Sequence, residues 1–113
     1  LLEKALINLV ENGIKYSDPK SLVSLSLEKQ ADKFIIGVKD QGFGIEAKHH
    51  ERIFERFYRI DVARSRKLGG TGLGLSIVKH IIQAHQGTIS LTSTPGEGST
   101  FLIQIPFVEM NPT

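Results

Sequence analysis

Gly69-Gly70-Thr71-Gly72-Leu73-Gly74 runs directly into Leu75-Ser76-Ile77-Val78-Lys79, so a glycine-rich loop stands against the start of an apolar, periodic segment. Leu75, Val78, Ile81 and Ile82 recur at helical spacing and predict a helix over residues 71–85. The first turn of a helix exposes unpaired N–H groups and a partial positive charge, which together attract anions. Glycines let that backbone approach a ligand that a Cβ would hold off. The motif therefore predicts an anion site, although a glycine turn that serves only packing has the same spelling.

Two further polar constellations narrow the chemistry. Asp40-Gln41-Gly42-Phe43-Gly44 follows the apolar run Phe34-Ile35-Ile36-Gly37-Val38, which reads as a buried strand. A carboxylate at a strand end, beside two glycines, can accept hydrogen bonds from a planar amine lying against the backbone. An ordinary Asp-x-Gly turn looks the same in sequence. Asn8, Asn12, Lys15 and Tyr16 fall on one helical face, with Leu2, Leu6, Leu9 and Val10 largely on another. Two amide oxygens one turn apart suit a hard divalent ion carried by phosphates, and Lys15 supplies a point charge for a phosphate. A solvated polar face on an amphipathic helix is the plainer alternative.

The remaining elements fall in order. Residues 1–16 read as a helix, ended at Ser17-Asp18-Pro19-Lys20 because Pro19 cannot continue it. Val23, Leu25 and Leu27 alternate with Ser24, Ser26 and Glu28, the pattern of a half-buried strand. Residues 34–39 form a second, more deeply buried strand, and a short helix is expected over residues 46–52. Residues 60–70 are irregular and basic, with Arg64, Arg66 and Lys67 against Asp61; so long a loop in a small domain is often functional. Residues 88–93 and 99–107 pair as a hairpin around Gly96-Glu97-Gly98, with Phe101, Ile103, Ile105 and Phe107 on one face. Residues 109–113 read as a frayed tail.

Length and composition set the outer bounds. The 113 residues make one domain with a modest core. The chain has no cysteine, which excludes disulfides and thiolate metal sites and fits a reducing compartment. A net charge of +2 gives no electrostatic case for nucleic acid, and no apolar run reaches membrane-spanning length. The chain begins inside a helical pattern, as an excised domain would.

Together, in this order and from about Leu1 to Phe107, these motifs resemble the catalytic and ATP-binding domain of sensor histidine kinases, in the superfamily shared with gyrase, HSP90 and MutL. The asparagine box is matched by residues 8–17, the first glycine box by 40–45 and the phenylalanine box by 53–59. The second glycine box is matched by 70–75 and the last glycine motif by 96–101. The resemblance implies an α+β fold: a two-layer sandwich of the Bergerat type, with a mixed, mostly antiparallel sheet covered on one face by three helices. It implies ATP and Mg²⁺ as ligands. Asp40 would read adenine, Asn12 would hold Mg²⁺ with help from Asn8, and Lys15 and Arg59 would neutralise phosphate charge. Tyr16, Gly42, Gly44, Ile45, Phe57, Gly70, Thr71, Gly72, Leu73, Gly74, Leu75 and Thr100 would line the nucleotide site. Residues 60–70 would form a lid over ATP, anchored by Phe54 and Phe57.

The reaction implied is transfer of the γ-phosphoryl group to a histidine on a dimerisation hairpin. That hairpin is missing here, as is the short strand that usually precedes the first helix in the family. A response regulator receiver domain would be the next partner. The resemblance implies a monomeric, cytoplasmic fragment without direct membrane contact, whose parent can be anchored in the inner membrane. Asn8 separates the branches of the superfamily. The gyrase and HSP90 branch carries a glutamate there to activate water, and an amide cannot act as that base. An ATP hydrolase, an anti-sigma serine kinase and a non-catalytic docking module are the competing readings. His49, His50, His80 and His85 lack zinc spacing and read as structural or solvated.

Overall fold

A computed structural model describes residues 1–15, 17, 20–56, 58 and 74–106. Its elements are helix α1 (Leu2–Lys15), strands β1 (Val23–Lys29) and β2 (Lys33–Asp40), helix α2 (Gly74–Ala84), and strands β3 (Thr88–Thr94) and β4 (Gly98–Pro106). The four strands form one sheet in the order β1-β2-β4-β3, antiparallel at every pairing. The fold is α+β, as expected, although no parallel pair occurs among the described residues. Tyr16, Asp18, Pro19, the lid segment 60–70, Thr71 to Leu73, Phe107 and the tail 109–113 lie outside the described residues.

Strand register writes the core as rows. Leu91, Phe101, Val38 and Leu25 align across the sheet, and Ile89, Ile103, Ile36 and Leu27 form the next row. Val38, Ile36, Phe101 and Ile103 are buried beneath Ala5 and Leu9 of α1 and Val78, Ile81 and Ile82 of α2. The periodic positions expected of the second helix are the ones it buries, with Leu75 packed at the margin. The opposite sheet face is mostly polar and carries a hydrogen bond from Lys33 Nζ to Gln104 Oε1 at 3.0 Å.

Two expectations need correction. The alternation in β1 predicted a half-buried strand, yet Leu25 and Leu27 are 57% and 69% exposed. Their side of the sheet is the core side, but α1 packs chiefly against α2, and β1 is left as an edge strand. The short helix expected over residues 46–52 is instead two single 3₁₀ turns, Ala47–His49 and Arg52–Phe54. Its sequence offers no apolar stripe to bury along a continuous helix; Ile53 alone of these turn residues is buried.

The end of α2 is closed in an unusual way. Gln86 takes the left-handed conformation at φ 61°. Its N–H donates to the Gln83 carbonyl at 2.9 Å, and the Gly87 N–H donates to the Ile82 carbonyl at 2.9 Å. This is a Schellman closure with glutamine at the position glycine usually takes. A Cβ in that conformation costs about 1–2 kcal/mol, partly offset by the extra freedom a glycine loses on folding. Gln86→Gly is therefore expected to stabilise the fold by about 0.5–1 kcal/mol in urea unfolding. A variant less stable than the parent would show that the glutamine side chain contributes more than its backbone costs.

Candidate functional site

The apolar rows end in a polar one. Val23, Asp40, Ser99 and Ser93 align across all four strands, each paired with the next by register. Asp40 and Ser99 are 8% and 6% exposed, and they are the polar members among the buried residues described. Asp40 Oδ1 accepts the Gly42 N–H at 2.9 Å and the Ser99 N–H at 3.2 Å. Oδ2 takes neither bond. Burial pushes the Asp40 carboxyl above its ordinary pKa, and the two backbone N–H groups pull it back only in part.

The turn after Asp40 is clamped to the β3–β4 hairpin. The Ile45 N–H donates to Ser93 Oγ at 2.7 Å, and the Gly96 N–H donates to the Phe43 carbonyl at 2.7 Å. From the other side, the His50 ring donates through Nε2 to the Ile45 carbonyl at 2.7 Å. Two glycines make the clamp possible. Gly44 has φ +75°, and a Cβ there would lie 2.1 Å from the Thr94 carbonyl oxygen; Gly98 has φ +108°, and a Cβ there would lie 2.2 Å from the Asp40 carbonyl oxygen. Side chains are excluded at both positions by backbone atoms, which cannot move aside cheaply.

Helix α1 reaches this site through Gly13. A Cβ at Gly13 would stand 3.3 Å from Asp40 Cβ and from both methyl groups of Val23. The contact brings the C-terminal half of α1 against the carboxylate. Half-buried Asn12 is next along the chain, half-buried Asn8 one turn back, and exposed Lys15 at the end. Gly74 opens α2, and a Cβ there would meet nothing within 4 Å. No described protein neighbour requires glycine at that helix start. Phe54 packs edge-on against Phe101 at 6.1 Å between ring centres.

The structure thus gathers Asp40, Gly42, Gly44 and Ile45 and brings the turn of α1 that carries Asn12 and Gly13 against Asp40. It separates Thr100. Strand alternation turns Thr100 to the opposite face, paired in register with Lys39 and Thr92, and puts Ser99 beside Asp40 instead. Tyr16, Phe57, Arg59, Gly70, Thr71, Gly72 and Leu73 lie outside the described residues. Ser93, Ser99 and Gly13 are participants the sequence reading missed. The signal for the two serines was the parity of the hairpin strands, which becomes readable once Asp40 is paired with Ser99. His49 meets the Tyr58 hydroxyl, with the Arg52 guanidinium 4.6 Å from the Tyr58 ring centre, and the His85 ring donates to the Ile81 carbonyl at 2.8 Å. No described cluster of His, Cys, Asp and Glu could hold a metal by itself.

The comparisons place this arrangement among known proteins. Residues 1–109 match the family described as "Histidine kinase-, DNA gyrase B-, and HSP90-like ATPase", and the chain belongs to that family. It is 53% identical over 106 residues to the sensor-like histidine kinase SenX3 of Mycolicibacterium smegmatis, which covers 94% of this chain and 28% of that protein. Identity to the sensor histidine kinase WalK of Bacillus subtilis is 44% over 110 residues, covering 96% of this chain and 18% of WalK. The chain therefore spans only 28% and 18% of the length of these two relatives. Among solved structures, the catalytic domain of histidine kinase ThkA superposes with a TM-score of 0.77 at 31% identity, covering 92% of this chain and 64% of that one. Full-length ShkA in complex with AMPPNP superposes with a TM-score of 0.81 at 29% identity, covering 94% of this chain and 21% of that one. The fold and motifs are those of a histidine kinase ATPase domain.

Two outcomes are expected from the buried row. Folded Asp40 holds its proton more tightly than the unfolded chain does, so its contribution to stability falls as pH rises through the carboxylate range, and its full cost is present at neutral pH. Asp40→Asn keeps an oxygen for the two N–H donors and removes the charge. It is expected to raise the melting temperature by a few degrees at pH 7, with the gain shrinking as pH falls toward the acid range; equal melting at pH 7 would contradict the burial cost. Gly98→Ala is expected to destabilise the fold by about 2 kcal/mol or more in denaturant titration, since the strained φ and the backbone clash act together.

Proposed function

We propose that this chain binds ATP with Mg²⁺ and passes the γ-phosphoryl group to a histidine on the dimerisation hairpin of a two-component sensor kinase. One observation carries the reading. A buried carboxylate has one oxygen occupied by backbone N–H groups and the other without either bond, at the point where α1 meets the sheet. Such an oxygen accepts from a planar exocyclic amine, and adenine has one. The AMPPNP complex of ShkA, a structural neighbour, supports a nucleotide in this fold.

The rest of the chain's chemistry follows from position. Asn12 and Asn8 offer neutral amide oxygens, which suit a hard cation that arrives on phosphates and keeps its waters. Mg²⁺ bound there would neutralise phosphate charge. Lys15 and Arg59 add positive charge, and the glycine-rich backbone from Gly70 through Gly74 donates N–H groups to the phosphates. In the transfer, a histidine ring nitrogen forms a bond to the γ-phosphorus as the bond to the β,γ-bridging oxygen breaks, and ADP leaves. The protein's share of such a step is positioning and charge stabilisation. Asn8 cannot deprotonate water, which favours a protein acceptor over hydrolysis. The phosphoryl group would pass next to a response regulator receiver domain, in a cytoplasmic relay.

Calorimetric titration with ATP, with GTP as control, with and without Mg²⁺, tests the reading. The expected result is saturable, adenine-selective, Mg²⁺-sensitive binding, followed by transfer to a supplied hairpin and little turnover of ATP alone. Asn12→Ala is expected to weaken Mg²⁺-dependent binding about tenfold or more, ~1.4 kcal/mol. A folded chain with no ATP binding would overturn the proposal, and rapid hydrolysis without a hairpin would move it to the hydrolase branch.

A further inference from the structure

We propose that Ser93 is a positioning residue that sets nucleotide selectivity by fixing the direction of the Ser99 hydroxyl proton; this rests on the ATP-binding reading above. The argument is a count of protons. A serine hydroxyl has one proton and two acceptor sites. Ser93 Oγ lies 2.7 Å from the Ile45 nitrogen, 2.8 Å from the Gly98 carbonyl oxygen and 2.8 Å from Ser99 Oγ. The Ile45 N–H can only donate, so it fills one acceptor site of Ser93. The Gly98 carbonyl can only accept, so it takes the Ser93 proton. What remains on Ser93 is one acceptor site, and Ser99 must therefore donate into it.

The consequence appears at the next residue in the row. With its proton committed to Ser93, Ser99 Oγ retains only acceptor capacity. Its own N–H is committed to Asp40 Oδ1. Burial leaves little water to compensate a wrongly turned hydroxyl, since Ser99 is 6% exposed and Asp40 8%. The polar row thus offers acceptors alone to a ligand edge. It matches an amine that donates and rejects a carbonyl that accepts, which is the difference between the six-position of adenine and that of guanine. Ser93 touches no reacting atom; it acts through Ser99 and through Ile45.

Ser93→Ala frees the Ser99 proton to turn and leaves the Ile45 N–H and the Gly98 carbonyl without their partner. ATP affinity is expected to fall about tenfold while GTP affinity falls less or rises, so the ATP-over-GTP ratio drops. A loosened fold alone would weaken both nucleotides equally and leave the ratio where it was. Ser93→Thr keeps the hydroxyl and is expected to retain the ratio within about twofold. Adding Ser99→Ala to Ser93→Ala removes the stray proton and is expected to bring the ratio back toward the parent value, which separates a turned hydroxyl from general damage even where the threonine methyl does not fit. Calorimetry with ATP and GTP on the parent and these variants, each checked for folding by thermal melting, reads all of this. An unchanged ratio in Ser93→Ala, or no recovery in the double variant, overturns the inference while the nucleotide reading stands. A folded parent that binds neither nucleotide overturns the reading itself, before any serine is changed.

Discussion

A carboxylate kept out of water organises this molecule. Asp40 sits where the apolar rows of the sheet stop, and among the described residues its charge is met by two backbone N–H groups on a single oxygen. Each donor imposes a geometry. The Gly42 N–H reaches back only if the chain turns sharply after β2, and the Ser99 N–H reaches only if β4 starts in register opposite Asp40. The glycines at 44 and 98 exist because these turns bring backbone against backbone. Without the carboxylate, neither the turn at 40–45 nor the hairpin at 94–98 would need its present path.

The same constraint couples the two layers. A helix can approach a strand end this closely only where it presents no side chain, and Gly13 is that place on α1. A glycine inside a helix costs about 0.8–1 kcal/mol relative to alanine. The structure accepts that cost and gains a short path between the amide-bearing face of α1 and the buried carboxylate. Leu9 and Ala5, one and two turns earlier, then bury against the sheet and α2 and fix the helix in that position.

Legibility from sequence varied with the physics that decides each feature. Helix α2 was readable because four apolar residues at helical spacing have a single way to be buried. The place of Asp40 at the end of β2 was readable as a pattern, since an apolar run that stops at a carboxylate followed by two glycines marks a strand end and a turn. The side of β4 that lies with Asp40 was not readable. Strand faces alternate residue by residue, and a shift of one exchanges Thr100 for Ser99; only the pairing with Asp40 fixes the parity. Exposure of Leu25 and Leu27 was equally hidden, because alternation reports which side a residue lies on and not whether a helix covers that side. Gln86 was missed because the adjacent Gly87 is the residue propensity would choose for a left-handed cap.

Helix direction adds a last constraint on the proposed ligand. Asp40 meets α1 near its C-terminal end, where the partial charge is negative and phosphates are disfavoured. A neutral base with a donating amine suits that end. Anionic phosphates suit the opposite polarity, which the N-terminus of α2 at Gly74 supplies. A ligand that spans the site must therefore be amphoteric along its length, amine at one end and anion at the other. Asn12 and Asn8 stand about 6 Å apart along α1 at 1.5 Å per residue, on the helix that meets the carboxylate. Free phosphate would satisfy one end only and adenine the other only. The arrangement selects a molecule that joins the two, which is why a nucleoside triphosphate fits the fold better than either of its parts.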